Sequence, residues 1–345
     1  MRFVRPLSFV IGCAGALCAM IACGASKTAT SSGPPQVPAG TTYTLSFGPV
    51  TAAPGEEHTK CVTQRLGNMD ALHVGTIHNV LSGGSHHMIV YRSNETVEQT
   101  TPFDCVPFTD TLDPAKGSTL VVTQKKDDTL NLPQGVAFAL DANQMVRIEL
   151  HYINATPAPL QITASSTFVT MDEAQFKNEA DFLFIGSPDI HLPPNASTTL
   201  GPVFFQLPQD YAGVQFFAIT GHEHQLGTNV TVSVASSATD PGTSVYDVPG
   251  WLWSEPATVS HDPPFTVPAG GGFRFTCEWN NTTSNTVRFG ESANDEMCFF
   301  WAYYYPSQGS RVCMHTNQLM NGLDLCCPGP SLYCGIILSR LRDGG

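Results

Sequence analysis

The chain has 345 residues with a net charge of −13 and only 16 lysines and arginines, a balance that excludes a phosphate-tracking, nucleic-acid-binding surface. A hydrophobic content of 42% excludes wholesale disorder. The 30 glycines and 26 prolines are spread along the whole length, which argues against a helix bundle and for many short strands joined by turns.

The first element is an address. Arg2 and Arg5 precede an apolar run from Leu7 to Ala22, too short for the ~20 residues that span a bilayer but suited to an export signal. Met20-Ile21-Ala22-Cys23 is similar to a bacterial lipobox, which would make Cys23 a lipidated mature N-terminus. Cys13 and Cys18 are preceded by less suitable residues, and an ordinary cleaved signal remains the alternative. Ser26 to Gly40 is a Ser/Thr/Pro/Gly tether with no apolar period. The expectation is an exported protein, lipid-anchored in the bacterial cell envelope. Gly24 lacks the acidic character linked to inner-membrane retention, which favours the outer membrane or a periplasm-facing site.

Strand-like runs follow near 42–48, 86–92, 119–123, 135–140, 145–152 and 160–170. Met171 to Lys177 forms a polar bridge, and a second set lies near 181–185, 198–206, 213–220, 229–234, 273–278, 285–290 and 297–304. These runs predict an all-β protein of two tandem antiparallel β-sandwiches, jelly-roll-like. The segments are a signal at 1–23, a tether at 24–41, sandwiches at 42–172 and 173–310, and a cysteine-rich tail at 311–345. Beyond the signal stand Cys61, Cys105, Cys277, Cys298, Cys313, Cys326, Cys327 and Cys334, an even set that reads as disulfides in an exported chain. The tail reads as a small stapled appendage, in which adjacent Cys326 and Cys327 take separate partners.

Chemistry points to the histidines. His86-His87-Met88 opens an apolar run after Ser82-Gly83-Gly84-Ser85. Neighbours on a strand face opposite ways, so both rings reach one metal only if the strand begins or bulges there. Taken alone the pair is a weak signal. In Val146–His151 the apolar residues share one face while Arg147, Glu149 and His151 share the other, so His151 projects outside the sandwich core, where a lone histidine is usually a surface residue. His222-Glu223-His224 places two imidazoles at i and i+2, a strand spacing that lets them share a metal, or else marks a polar strand end. Met297 shares a face with Phe299, Trp301 and Tyr303 and opposes Cys298, so it is a core residue or a soft ligand. One all-imidazole group and one His/His/Met group suit copper better than zinc. Neither a Ser-His-Asp triad nor a phosphate-cradling loop is evident.

In that order, His-His-Met, a strand-borne His-Tyr, His-x-His and Asp-Glu-Met-Cys resemble the type II copper, ascorbate-dependent monooxygenases, among them peptidylglycine α-hydroxylating monooxygenase and dopamine β-monooxygenase. The resemblance spans about residues 45–305. It implies two copper ions. His86, His87 and His151 would hold the electron-donating one, and His222, His224 and Met297 the one where O2 binds and a C–H bond is hydroxylated. It also implies disulfides Cys61–Cys105 and Cys277–Cys298, one copper site on each sandwich facing across a solvent-filled cleft, and ascorbate or a similar reductant as co-substrate. Thr220 stands where the peptide-hydroxylating member has a carboxylate-binding Arg, and Phe299 and Trp301 stand where it has polar substrate contacts. Those departures imply an apolar or aromatic small substrate contacted by Phe299, Trp301 and Tyr303, unless these aromatics simply pack the sheet. The rival classes are an exported copper-handling lipoprotein without hydroxylase activity and a plain adhesion or scaffold module.

Overall fold

Apolar and polar residues alternate along most strands, and the alternation decides which face each strand buries. In Leu160–Thr170, Ile162, Ala164, Ser166, Phe168 and Thr170 point inward while their neighbours stay partly or wholly accessible. The computed structural model describes residues 37–106, 116–290, 292–318, 322–328 and 334; the export signal, Cys23 and most of the tether lie outside them. As predicted, the chain is all-β.

The first half builds two sheets. One has the order Thr42–Ala52, Leu160–Thr170, Leu72–Leu81, Val136–Leu140 and Asn178–Glu179, with Asp127–Asn131 also paired to Leu72–Leu81. The other has the order Gln99–Asp104, Glu57–Arg65, Met145–Ile153, Ser85–Ser93 and Gly117–Thr123. The polar bridge after residue 171 becomes a 3-10 turn at Glu173–Gln175, where the Asp172 carboxylate accepts from Ala174 N–H at 3.0 Å and caps it.

The second half pairs a four-stranded sheet (Ala196–Gln206, Gly272–Asn281, Gly227–Ala235, Thr243–Asp247) with a six-stranded one. The larger runs Val259–Thr266, Gln215–His222, Phe299–Tyr305, Asp181–Gly186, Arg311–Thr316 and Leu323–Cys327. Two pairings are parallel rather than antiparallel: Asn178–Glu179 with Val136–Leu140, and Asp181–Gly186 with Arg311–Thr316. The cysteine-rich segment is thus no appendage. Val312, Cys313 and Met314 are buried because this hairpin extends the sheet. Disulfides join Cys61–Cys105, Cys277–Cys298, Cys313–Cys326 and Cys327–Cys334, so the adjacent cysteines do take separate partners.

The six-stranded sheet buries both faces, which explains the near-continuous apolar run Phe299–Tyr305. Phe300, Ala302 and Tyr304 point into the core shared with the four-stranded sheet. Phe299, Trp301 and Tyr303, with Phe182, Phe184 and Met314, join the core of the first half. The Tyr303 hydroxyl accepts from Val122 N–H at 3.2 Å, satisfying a donor on the edge strand Gly117–Thr123.

Beside this junction, Asp181 is buried with its carboxylate accepting from Ser307 Oγ at 2.6 Å and from Phe182 N–H at 2.8 Å. Burial dominates and pushes its pKa up to about 6 from 3.8. The folded state therefore binds the proton more tightly than the unfolded chain, so stability falls as pH rises between about 4 and 6. Asp181→Asn removes that loss. Urea unfolding should show the variant equal to the parent near pH 4 and more stable by up to about 3 kcal/mol at pH 7. A difference that stays flat with pH excludes the account.

Candidate metal centre

Two elements deliver the first three histidines. Ser85 pairs with Tyr152 and His87 with His151, so His86 is the extra residue of a bulge at the start of Ser85–Ser93. Gly84 makes that entry possible. It sits at φ +87°, and a Cβ there would lie 3.0 Å from Ile162 Cδ1 and 3.3 Å from Ile153 O. The bulge lets His86 and His87 turn to the same side, with ring centroids 5.1 Å apart, and His151 stands 5.3 and 5.0 Å from them. One potential ligand atom from each of the three lies within 4.8 Å of the others.

His222 ends the strand Gln215–His222, and His224 lies in the turn beyond it. Strand alternation therefore does not bring them together. The turn does, and it rests on buried carboxylates. Glu296 accepts from His224 N–H at 2.9 Å, from Leu226 N–H at 2.7 Å and from Trp279 Nε1–H at 2.9 Å. Glu223 accepts from Glu278 N–H at 2.9 Å. The His222 and His224 centroids are 5.1 Å apart. Met297 follows Glu296 directly and is buried on the face of Phe299 and Trp301, as the alternation predicts. Phe299 pairs with His222 in register.

The two groups are not held apart by an open cleft. His86 lies 5.8 Å from His224 and 6.4 Å from His222, and His87 lies 6.3 Å from His222. All five rings are at most 6% exposed. His151 does leave the polar face of its sheet, but that face is covered by the second half rather than by water. Glu57 closes the gap: its Oε1 accepts from His151 Nε2 at 3.0 Å, from Ala293 N–H at 2.9 Å and from Ser292 Oγ at 3.4 Å. Trp253 also packs on His86, with centroids 5.4 Å apart.

Burial holds His86, His87 and His222 neutral, well below the usual imidazole range, and takes His224 down to about 4; neighbouring imidazoles push the first three the same way. The His151 hydrogen bond is the main force holding Glu57 at about 2. Neutral imidazole is the metal-binding form.

The partners also set the tautomers. His222 Nδ1–H donates to Gln124 Oε1 at 3.0 Å, and His224 Nδ1–H donates to the Asp295 carbonyl at 3.1 Å. That leaves both Nε2 lone pairs unused. These two atoms and His86 Nε2 are buried with no hydrogen-bond partner among the described residues. A buried, unmet polar atom costs about 1–3 kcal/mol. A soft or borderline cation bound by imidazole satisfies all three, so the residues fit copper.

Of the other predicted contacts, Trp301 lies 5.9 Å from the His222 ring, Tyr303 is committed to Val122, and Phe299 stacks on Phe184 at 4.7 Å. Thr220 is buried with its hydroxyl 2.8 Å from Thr258 Oγ1. Sequence reasoning passed over Glu57, Gln124 and Trp253. Nothing in their local pattern marks them, because each acts across the boundary between the halves.

Glu296 carries three donors, and burial raises its pKa to about 7. Glu296→Ala should cost at least about 3 kcal/mol in urea unfolding, with Glu296→Gln intermediate because it keeps one acceptor. Equal stability of Ala and Gln variants would show that the carboxylate is not the support of the turn.

A sequence profile described as copper type II ascorbate-dependent monooxygenase, C-terminal domain, matches residues 180–321. Among solved structures, the chain is similar to the major capsid protein P2 from bacteriophage PM2 at 11% identity, covering 78% of this chain and 100% of that one with a TM-score of 0.35. It is also similar to PNGase F, a glycosylasparaginase from Flavobacterium meningosepticum, at 13% identity, covering 76% and 94% with a TM-score of 0.33. Likenesses this distant carry no functional argument. The profile match spans His222, His224 and Met297 together with the carboxylates that hold their turn, and over those residues the chain is similar to the C-terminal domain of the copper type II ascorbate-dependent monooxygenases.

Proposed function

We propose that the protein hydroxylates a C–H bond of a small apolar or aromatic substrate, with O2 as oxidant and ascorbate or a similar one-electron reductant as donor. In balance, R–H, O2, two electrons and two protons give R–OH and water. The single observation that carries the reading is the buried cluster of five histidines, the second pair of which falls within the family match. His86, His87 and His151 would hold one copper, and His222, His224 and Met297 the other. Bound copper would supply single-electron transfer and the activation of O2. Around it, the chain's own residues exclude water, keep His86, His87, His222 and His224 neutral and fix the donor nitrogens of His222 and His224. The Met297 thioether favours the reduced ion.

Substrate class follows from what is missing near the second group. Thr220 is uncharged and bonded to Thr258, and Phe299 and Trp301 are apolar and packed into the core shared by the halves, so among the described residues beside His222 a substrate carboxylate has no charged fork to meet. Export and a lipid anchor at Cys23 belong to the same proposal: they place the enzyme in the envelope, where its four disulfides persist. The closeness of the two histidine groups favours one rival, a copper-handling lipoprotein that does not hydroxylate.

Copper stoichiometry and electron paramagnetic resonance of the oxidised protein test the site. Two coppers are expected, with His151→Ala weakening one and Met297→Ala the other. Reductant-dependent O2 uptake coupled to an alcohol product then separates hydroxylase from copper carrier. Absence of stoichiometric copper, or a preference for zinc, would overturn the proposal.

A further inference from the structure

We propose that Glu57 and Gln124 are positioning residues for the metal centre, each setting the donor nitrogen of a histidine through a hydrogen bond and each making a hydrogen bond across the boundary between the two halves. The inference rests on the copper reading above and adds to it two residues from the first half.

Gln124 follows the strand Gly117–Thr123 of the first half and is 4% exposed. Its Oε1 accepts from Nδ1 of His222, a ring of the second half. A carbonyl oxygen cannot donate, so this contact admits one neutral tautomer, with the lone pair on Nε2. That Nε2 is the buried atom without a partner. The orientation of the second group is thus completed by the first half.

Glu57 orients a ring of its own half and also reaches across the boundary. Its carboxylate accepts from His151 Nε2, a contact that in the neutral ring puts the lone pair on Nδ1. The same oxygen takes Ala293 N–H and Ser292 Oγ. Two residues further on, the Asp295 carbonyl receives the His224 Nδ1–H. Glu57 therefore ties a ligand of the first group to the segment that aims a ligand of the second. Outer hydrogen bonds of this kind change metal affinity by about 10–100-fold when removed. The layout predicts an asymmetry: losing Gln124 disturbs the second group alone, whereas losing Glu57 disturbs His151 most and His224 to a smaller extent.

Two measurements on the full chain test this. In copper-free protein with 15N-labelled imidazoles, long-range proton–nitrogen spectra read each tautomer. The parent should show Nδ1–H on His222 and Nε2–H on His151. Gln124→Leu should convert His222 to a mixture and leave His151 unchanged, and Glu57→Leu should do the same to His151. Should either leucine variant fail to fold, the near-isosteric pair carries the test. Gln124→Glu strengthens the acceptor and should move the His222 Nδ1 proton downfield. Glu57→Gln weakens it and should move the His151 Nε2 proton upfield.

Copper competition with a chelator of known affinity is the second readout. Gln124→Leu should lower affinity about 10–100-fold at one site only, with Gln124→Glu restoring it to within a few-fold, and Glu57→Leu should lower affinity at both. Unchanged tautomers and proton shifts would overturn the inference, as would affinities within twofold of the parent. If the parent binds no copper yet the tautomers respond as stated, the copper reading fails and the positioning role stands.

Discussion

The structure depends on the second apolar face of one sheet. Strand Phe299–Tyr305 sends Phe300, Ala302 and Tyr304 into its own sandwich and Phe299, Trp301 and Tyr303 into the other half. Burying a large apolar side chain contributes about 1.5–3 kcal/mol, so these residues, with Phe182 and Phe184, outweigh the cross-boundary hydrogen bonds of Tyr303, Gln124 and Glu57, each worth about 1 kcal/mol net. Apolar packing, not polar contact, brings the two halves together. Only because it does so do histidines carried by separate sandwiches meet.

The meeting has a cost. Five imidazoles leave water, and at least three of their nitrogens have no hydrogen-bond partner among the described residues. A core this polar is tolerated when the remaining groups are fully satisfied or when something else binds the orphans. Each ring whose partner is an acceptor has its tautomer chosen for it, and the choice leaves the free lone pair inside the cluster. Stability and ligand readiness are therefore opposed at this site, and the apolar face supplies the margin.

Much of this was legible in the chain. The bulge at His86 follows from two glycines before an apolar strand, and the sidedness of Met297 follows from period two. Fold class and the resemblance to the copper monooxygenases came from the same residues. The unread strands have physical reasons. Glu57–Arg65 is rich in polar residues because it sits one strand in from the sheet edge, and Val259–Thr266 carries Pro263 and Pro264 because it is an edge, where the missing N–H groups are harmless. The i and i+2 reading of His222 and His224 assumed a continuing strand. Buried Glu223 and Glu296, drawing backbone N–H groups to themselves, end it instead. Contacts across the halves, such as Gln124 with His222, leave no trace in any local window.

Period two also explains why Met297 and the staple beside it face opposite ways. Met297 faces the boundary, and Cys298 beside it points into the second core, where it is bonded to Cys277 on the opposing sheet. The disulfide thus fixes the backbone from the face opposite Met297. On the other half, Cys61, on strand Glu57–Arg65 whose first residue is bonded to His151, is joined to Cys105 just beyond the edge strand Gln99–Asp104. In both halves a covalent tie lies within a few residues of the buried cluster or of a residue hydrogen-bonded to it. A bond that limits backbone drift there leaves only side-chain torsions to be set by hydrogen bonds, and those are the torsions that Glu57, Gln124 and the Asp295 carbonyl restrain.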